Sequence, residues 1–259
     1  MLTPVIVTTS WDDGDPADLK IAELLAAQGL SGTFYIPVKA HHTAQRLTSS
    51  DLRSLARMGF EIGGHGVSHP DLTLCNPAEL ACEVGCSKKQ LENELGRAVW
   101  MFAYPKGRCN GKVISSLKQA GYWGARTTRM LARGINFDPF QMPTSLQAYP
   151  HSWSAYLRNL GRAFSVGRAT EYFARLPESG RWVDLAKGLF DAVLREGGVW
   201  HLYGHSWEVD ELQLWSSLEE IFSYVAMRPG VLYLSNSNVL RLLPQESCQS
   251  SLANNVSSS

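Results

Sequence analysis

Residues that can bind a metal ion or move a proton are concentrated in three short segments of this chain. Residues 10–14 read Ser-Trp-Asp-Asp-Gly; adjacent side chains point in different directions, so one carboxylate can bind a cation while the other stays free. Residues 65–69 read His-Gly-Val-Ser-His, and imidazoles four positions apart converge on one cation when the backbone between them makes a helical turn. Residues 201–208 contain His205, a candidate proton donor.

Each segment also has an ordinary structural interpretation. Asp-Asp-Gly is a common turn sequence, and two histidines four residues apart can simply lie on the surface. We expect His201 to pack within a strand, whereas His205 falls at the end of that strand. The chemistry therefore depends on whether the fold brings the three segments together.

Strand and helix patterns alternate along the chain, which predicts an α/β fold with a parallel sheet. Apolar and β-branched runs predict strands at 5–9, 33–36, 61–64, 99–103, 123–126, 198–203 and 231–234, with a further candidate at 141–144. Apolar spacing and capping residues predict helices at 15–28, 48–59, 76–95, 111–120, 182–195 and 211–227. Each of the three segments follows a predicted strand, which is where barrels and open α/β sheets assemble their sites.

The composition favours one soluble globular domain. The 259 residues include 24 basic and 24 acidic side chains and are 44% apolar, and barrels of this length commonly form single domains. A net charge of zero gives no support for a nucleic-acid partner, and no apolar run approaches the roughly 20 residues that span a bilayer. The first residues resemble a strand rather than a signal peptide, so we expect a cytoplasmic protein.

Two stretches depart from the alternating pattern. Within a predicted catalytic domain at 1–244, residues 145–181 form an insertion with six aromatic residues and five arginines, either a substrate-contacting lid or a packing element with a basic face. Residues 245–259 include six serines and are expected to be disordered. The cysteines at 75, 82 and 86 could form a soft-metal site or be buried free thiols.

Together, the three segments resemble those of the polysaccharide deacetylase family, also called the NodB-homology or carbohydrate esterase family 4 domain. Residues 10–14 are similar to the family's T-F-D-D-G motif and residues 65–69 to its H-[S/T]-x-x-H motif, with Gly66 in place of the hydroxyl residue. Residues 102–107, Phe-Ala-Tyr-Pro-Lys-Gly, resemble its F-R-x-P-x-G segment, and His205 matches its late histidine. The resemblance covers about residues 5 to 243 and implies a distorted (β/α) barrel of about seven parallel strands.

The resemblance also implies a role for each matching residue. Asp13, His65 and His69 would bind a divalent metal, with zinc the first choice, although cobalt, nickel, manganese and iron suit the same ligands. Asp12 would be the general base and His205 the general acid.

Two parts of the family's pattern are altered here. Lys106 would help to hold the oxyanion through its backbone amide, with Tyr104 and Trp207 at the substrate, but the family's arginine is replaced by Ala103. Lys106 or Arg108 could supply the missing charge beside the base.

The family's aspartate-containing motif before the late histidine also has no clear match. Glu208 or Asp210 could orient His205 instead, and Asp138 is a weaker candidate.

These assignments predict a metal-dependent hydrolase that removes an acyl group, expected to be acetyl, from an amide nitrogen of a sugar or sugar conjugate. Two alternatives remain: an amidohydrolase acting on a small non-sugar amide or ureide, and a non-catalytic, metal-containing carbohydrate-binding protein. Ala103 is the best support for the binding protein, whereas Asp12 and His205 favour catalysis. In the cytoplasm, a nucleotide-linked or lipid-linked sugar or an oligosaccharide precursor would be a better substrate than a mature cell-wall polymer.

Overall fold

Eight parallel strands form one sheet in the computed structural model, which describes residues 3–40, 45–152 and 182–243. The strands are β1 (Val5–Asp12), β2 (Gly32–Ile36), β3 (Glu61–Gly64), β4 (Met101–Ala103), β5 (Gly124–Arg126), β6 (Leu146–Gln147), β7 (Gly198–His205) and β8 (Val231–Tyr233). Their order is β5-β4-β3-β2-β1-β7-β6, and β8 pairs separately with β1.

Helices follow most of the strands, as the alternating sequence pattern predicts. They are α1 (Asp18–Ala27), α2 (Ser49–Arg57), α3 (Pro77–Ala81), α4 (Ser87–Leu95), α5 (Gly111–Gln119), α6 (Trp182–Glu196), α7 (Ser206–Glu211), α8 (Trp215–Val225) and α9 (Asn236–Leu240). Among the described residues, no helix is both long and apolar enough to cross a membrane.

Strand β1 is the centre of the sheet. It pairs with β7 along its whole length, from Val5 opposite Gly198 to Asp12 opposite His205. Its other edge is shared, because β8 pairs with its first three residues and β2 with its last four. The register therefore places Asp12 and His205 on adjacent strands at the same end of the sheet.

The segment 142–148 connects the two edges of the curled sheet. At its start, Met142 exchanges backbone hydrogen bonds with the β5 edge, from its own amide to Ala125 (2.9 Å) and from the Thr127 amide to its carbonyl (2.9 Å). At its end, the amide of Ala148 donates to Tyr203 in β7 (2.7 Å). The predicted distorted barrel of about seven parallel strands is confirmed.

Two element predictions are wrong in detail. The strand predicted at 141–144 is preceded by a short 3₁₀ turn at Pro139–Gln141, and the strand itself lies later, at Leu146–Gln147. The helix predicted at 211–227 begins later, at Trp215, and ends at Val225, and a separate short helix at Ser206–Glu211 precedes it. Gln213 lies between the two helices with a φ of 54° that no right-handed helix accommodates. Periodicity alone could not detect this break, since apolar residues continue across it.

The helix predicted at 76–95 is present but contains a π-helical turn at Cys82–Cys86 between α3 and α4. The predicted capping at its start is confirmed, because the side chain of Asn76 accepts from the amides of Ala78 and Glu79. The expectation of buried thiols is wrong for this turn, since Cys82 and Cys86 are both exposed.

The predicted insertion at 145–181 is described only as far as residue 152, and this part contains β6. The rest of that stretch and the predicted disordered tail at 245–259 lie outside the described residues. Both interpretations therefore stay predictions.

Gly204 in β7 offers a test of the packing that places His205. A methyl group added there would lie 2.9 Å from the Cβ of Ala148 and 3.0 Å from the ring of Trp11, both of which are fully buried. We expect Gly204→Ala to lower the free energy of unfolding by about 1–3 kcal/mol through overpacking, as measured by urea denaturation.

Gly188 within α6 provides the matched control, because nothing lies within 4 Å of a methyl group added there. Gly188→Ala should be stabilising by about 0.5–1 kcal/mol, since alanine is the better helix former. Equal stability changes for the two variants would contradict the packing of β7 described here.

Candidate active site

Three candidate metal ligands converge at the carboxyl ends of β1 and β3. The Oδ1 atom of Asp13 lies 3.6 Å from Nε2 of His65 and 3.6 Å from Nε2 of His69. The three ligand atoms all lie within 4.8 Å of one another, and these residues are the only such group found in the described part of the chain. The separations suit an ion bound at about 2.0–2.2 Å to each ligand.

The donor set also fits a cation chemically. Asp13 Oδ1 is buried and has no hydrogen-bond partner among the described residues, an arrangement that costs free energy unless a cation or water is supplied. The other oxygen, Oδ2, accepts a hydrogen bond from Nε1 of Trp207 at 3.0 Å. Trp207 therefore holds the carboxylate so that Oδ1 faces the two histidines.

His65 is held in a similar way by the backbone of β4. Its Nδ1 atom lies 2.8 Å from the carbonyl oxygen of Ala103, so that the ring presents Nε2 to Asp13. Burial lowers the pKa of His65, and the nearby carboxylates only partly offset this effect. A neutral imidazole with its second nitrogen hydrogen-bonded to a carbonyl is the usual form of a metal-binding histidine.

Backbone strain is concentrated at this end of the barrel. Asp13, His69 and Lys106 have φ values of 78°, 57° and 58°, a region that non-glycine residues rarely adopt. Such conformations persist where the surrounding structure fixes them, and they cluster at functional sites. The positive φ at Asp13 turns the chain directly after β1 and separates the directions of the two adjacent carboxylates.

The charge beside Asp12 is supplied by Arg126, a residue that the sequence analysis did not single out. Nη2 of Arg126 donates to both carboxylate oxygens of Asp12. Arg126 ends β5 and is the register partner of Ala103 in β4. The guanidinium therefore comes from the strand next to the position where the family's motif has its arginine.

The suggestion that Arg108 or Lys106 supplies this charge is wrong. Arg108 is mostly exposed and pairs with Asp71 at 2.8 Å. Lys106 lies in the turn Pro105–Gly107. A signal for Arg126 was available, since it is the last residue of a predicted strand whose end faces the same edge as the other site residues.

Arg126 and Asp12 form an ion pair that is buried from solvent. The guanidinium carbon of Arg126 lies 5.3 Å from the ring centroid of Tyr35 and 4.9 Å from that of Tyr203, so two aromatic faces contact the cation. Burial alone would raise the pKa of Asp12, but the charge and hydrogen bonds of Arg126, with the charge of His205, outweigh it and lower the pKa to about 2. Asp12 is therefore ionised at neutral pH.

His205 lies opposite Asp12, with Nε2 4.0 Å from Oδ2 of Asp12 and 4.0 Å from Oδ2 of Asp13. Its Nδ1 donates to Oε2 of Glu208 at 2.7 Å. Burial would lower the pKa of His205, but Glu208 and the two aspartates raise it to about 9. The imidazole therefore carries a proton at neutral pH and directs it toward the centre of the site.

Of the residues considered for orienting His205, the structure selects Glu208. Asp210 instead accepts from the indole of Trp215, and Asp138 accepts from the amide of Phe140. Glu208 also accepts a second hydrogen bond, which the sequence did not predict.

Gln147 is the source of that additional hydrogen bond. Its Nε2 donates to Oε2 of Glu208 at 2.9 Å, and its Oε1 accepts from the hydroxyl of Tyr203 at 2.9 Å. Because the Tyr203 ring also contacts Arg126, the partners of the base and of the acid belong to one connected network.

Of the three residues predicted to contact the oxyanion or the substrate, Tyr104 does not lie at the site. Lys106 stays a candidate, and the amides of its neighbours Gly107 and Arg108 donate to Tyr104 and Pro105 within the turn. Tyr104, expected at the substrate, is instead in the core, with its hydroxyl donating to the carbonyl of Phe140 at 2.8 Å. Trp207 lies at the site, but its indole N–H is used to hold Asp13.

His201 is packed within β7, as expected. Its Nε2 lies 2.9 Å from the hydroxyl of Ser10 and its Nδ1 lies 3.1 Å from the carbonyl of Pro143. Burial and the charge of Arg126 lower its pKa to about 3, so that it stays neutral. The soft-metal site considered for Cys75, Cys82 and Cys86 does not form, since the described residues hold no second group of potential ligands close enough to share an ion.

Comparison with known structures supports the same fold. The chain is similar to the chitin deacetylase from the fungal pathogen Colletotrichum lindemuthianum, with a TM-score of 0.58 and 15% identity over 92% of this chain and 90% of that one. It is also similar to the family 4 carbohydrate esterase from Streptomyces lividans in complex with acetate, with a TM-score of 0.55 and 15% identity over 90% and 92% of the two chains.

A third similar structure is a mutant of BA3943, described as a family 4 pseudoenzyme with restored enzymatic activity. Its TM-score is 0.55, with 13% identity over 93% of this chain and 69% of that one. At these identities the three likenesses show the fold alone. No curated protein matches the sequence.

The sequence profile described as polysaccharide deacetylase matches residues 3–125. This range contains Asp12, Asp13, His65 and His69, while Arg126 and His205 lie after it. Residues 3–125 therefore match the polysaccharide deacetylase family, and the similar structures share the fold of the described residues.

Proposed function

We propose that this protein is a metal-dependent hydrolase that removes an acetyl group from an amide nitrogen of a sugar or sugar conjugate. One observation supports this most directly: the ligand group of Asp13, His65 and His69 is flanked by an ionised Asp12 and a protonated His205. A binding site needs no free base and acid on opposite sides of a metal, whereas amide hydrolysis needs both.

Asp12 is suited to remove a proton from the attacking water. Its carboxylate is ionised, and Arg126 fixes its orientation without taking part in the ligand group. A divalent ion bound to Asp13, His65 and His69 would supply a Lewis acid and lower the pKa of that water. Zinc is our first choice, because two imidazoles and one carboxylate are common zinc ligands.

His205 is suited to protonate the leaving amine, which is a poor leaving group without a proton. Its charged form is stabilised by Glu208, and its Nε2 faces the space between the two aspartates. The backbone amide of Lys106 is our candidate donor to the oxygen that gains negative charge as water attacks the carbonyl. The three groups together provide a base, an acid and an oxyanion donor.

The non-catalytic alternative loses its best support in the structure. It rested on Ala103 in place of an arginine, which would leave the base without a charge partner. Because Arg126 contacts Asp12 from β5, the strand next to that of Ala103, the base is paired and oriented.

The proposed activity can be tested with the purified protein loaded with zinc. We expect acetate release from a panel of N-acetylhexosamine oligosaccharides and nucleotide-linked N-acetyl sugars. Asp12→Asn should retain the metal but lose turnover by about 10²–10⁴-fold, because it keeps the shape of the base and removes its basicity. The measurements are acetate release and metal content by mass spectrometry.

His65→Ala is the complementary control, since it should lose the metal and the activity together. Turnover by Asp12→Asn at the wild-type rate would show that the base is misassigned. Absence of acetate release by wild-type protein across the panel would count against the N-acetyl sugar substrate.

Arg126 predicts a specific change in pH dependence. Asp12 acts as a base only when ionised, and Arg126 helps to lower its pKa to about 2. In Arg126→Met the pKa of Asp12 should rise, so the acidic limb of the kcat/KM profile should move to higher pH. Arg126→Lys keeps the charge and should shift the limb less.

The same pair should matter for stability. Breaking a buried ion pair by removing one partner destabilises a protein by about 3–5 kcal/mol, so Arg126→Met should lower the unfolding midpoint in urea. An unchanged acidic limb in a folded Arg126→Met variant would show that Arg126 does not act on the base.

Glu208 should set the position of the basic limb of the kcat/KM profile. His205 donates a proton only while charged, so activity should fall as the pH rises through its pKa of about 9. In Glu208→Gln the imidazolium loses its anionic partner, and the basic limb should move to lower pH. The kcat/KM profile measures this, with Asp210→Asn as a control that removes a nearby carboxylate without touching His205.

The two variants should differ if Glu208 is the orienting residue. A basic limb that moves equally in Glu208→Gln and Asp210→Asn would point to a general effect of charge instead.

A further inference from the structure

Glu83 contacts the loop that connects the two histidine ligands. Its Oε2 accepts hydrogen bonds from the amides of Val67 (2.6 Å) and Ser68 (3.0 Å). Its Oε1 accepts from the hydroxyl of Ser68 at 2.6 Å. One carboxylate therefore binds three donors within the residues that separate His65 from His69, and hydrogen bonds to an ionised acceptor are stronger than neutral ones.

Gly66 explains how the carboxylate comes so close. Its φ is 81°, and a methyl group added there would lie 3.0 Å from Oε2 of Glu83 and 3.8 Å from the amide of His69. The carboxylate thus packs against the face of Gly66 from which a side chain would project. A hydroxyl residue, as the family's motif has at this position, would place its Cβ against the Glu83 carboxylate.

The two histidines depend on this loop to different degrees. His65 directly follows β3, and its ring is fixed by a hydrogen bond to the carbonyl of Ala103. His69 comes after the loop and has a φ of 57°, so the backbone before it must be held for its Nε2 to face Asp13. Loss of the Glu83 contacts should therefore affect the position of His69 more than that of His65.

The element carrying Glu83 is the π-helical turn at Cys82–Cys86. A π-helical turn contains an extra residue and changes the direction in which its side chains project, and such turns are frequent at functional sites. The turn lies between two regular helical segments, α3 and α4, which fix its position.

We propose that Glu83 is a positioning residue for the metal centre, which holds the 66–68 loop so that His69 presents Nε2 to Asp13 beside His65. This inference rests on the proposed metal centre, although it requires nothing about the substrate.

The test measures zinc affinity by competition with a chromophoric chelator, in the absence of substrate. Glu83→Ala should bind zinc about 10–100-fold more weakly, which is the usual effect of removing a group that orients metal ligands. Glu83→Gln should recover most of the affinity, because its carbonyl oxygen can accept from both amides and its NH₂ group can donate to the Ser68 hydroxyl.

Glu79→Ala is the matched control. Glu79 lies one helical turn earlier and accepts from the amide of Asn76 as part of the cap of α3. Its removal should lower the melting temperature but leave zinc affinity unchanged. Equal losses of affinity in Glu79→Ala and Glu83→Ala would show that helix stability, and not the loop contact, is responsible.

A second readout is independent of metal and activity. Hydrogen exchange of the metal-free protein should be faster at the amides of Val67 and Ser68 in Glu83→Ala than in wild type. Unchanged exchange and unchanged zinc affinity in folded Glu83→Ala would overturn the positioning role. If Glu83→Ala does not fold, the double variant Glu83→Gln/Ser68→Ala provides the test. It should bind zinc more weakly than the wild type, and wild-type affinity in this double variant would also overturn the positioning role.

The possible failures can be distinguished. Zinc binding without acetate release by wild type would argue against the proposed function while leaving the role of Glu83 intact. Failure of the wild type to bind zinc would remove both.

Discussion

The buried ion pair between Asp12 and Arg126 is the interaction on which the rest of the site depends. Moving either charge out of water alone costs several kcal/mol, so each can be buried only with its partner. Nε and Nη1 of Arg126 have no hydrogen-bond partner in the described part of the chain, so Asp12 and the faces of Tyr35 and Tyr203 are its main stabilising contacts. The pair fixes the base, and it also fixes the ends of β1 and β5 relative to each other.

Because Arg126 pairs with Asp12, the adjacent carboxylate of Asp13 is available to face the two histidines. The positive φ at Asp13 turns the second carboxylate away from Arg126, and Trp207 holds one of its oxygens. The remaining oxygen faces His65 and His69. Two adjacent residues of the same type therefore have different environments and, in our proposal, different roles.

Three departures from the family's motifs are matched by charged side chains that lie close to the altered part of the site. Arg126 in β5 pairs with the base beside Ala103, and Glu208 pairs with His205 where no matching aspartate is found. By our proposal, Glu83 supports the loop in which Gly66 replaces a hydroxyl residue. In each case a charged group lies within reach of the altered part of the site, and electrostatic stabilisation depends on distance and burial, whichever element provides the group.

The sequence by itself determined the strands, most of the helices and the three segments that carry the chemistry, because hydrophobic periodicity and residue type are local properties. It also indicated Glu208 among the candidates for orienting His205. Only the tertiary structure decided that Arg126 rather than Arg108 pairs with the base. It also decided that Tyr104 lies in the core and that Glu83 contacts the 66–68 loop. These contacts depend on strand register, on a π-helical turn and on backbone strain. They are set by packing between distant segments, which leaves no regular pattern along the chain.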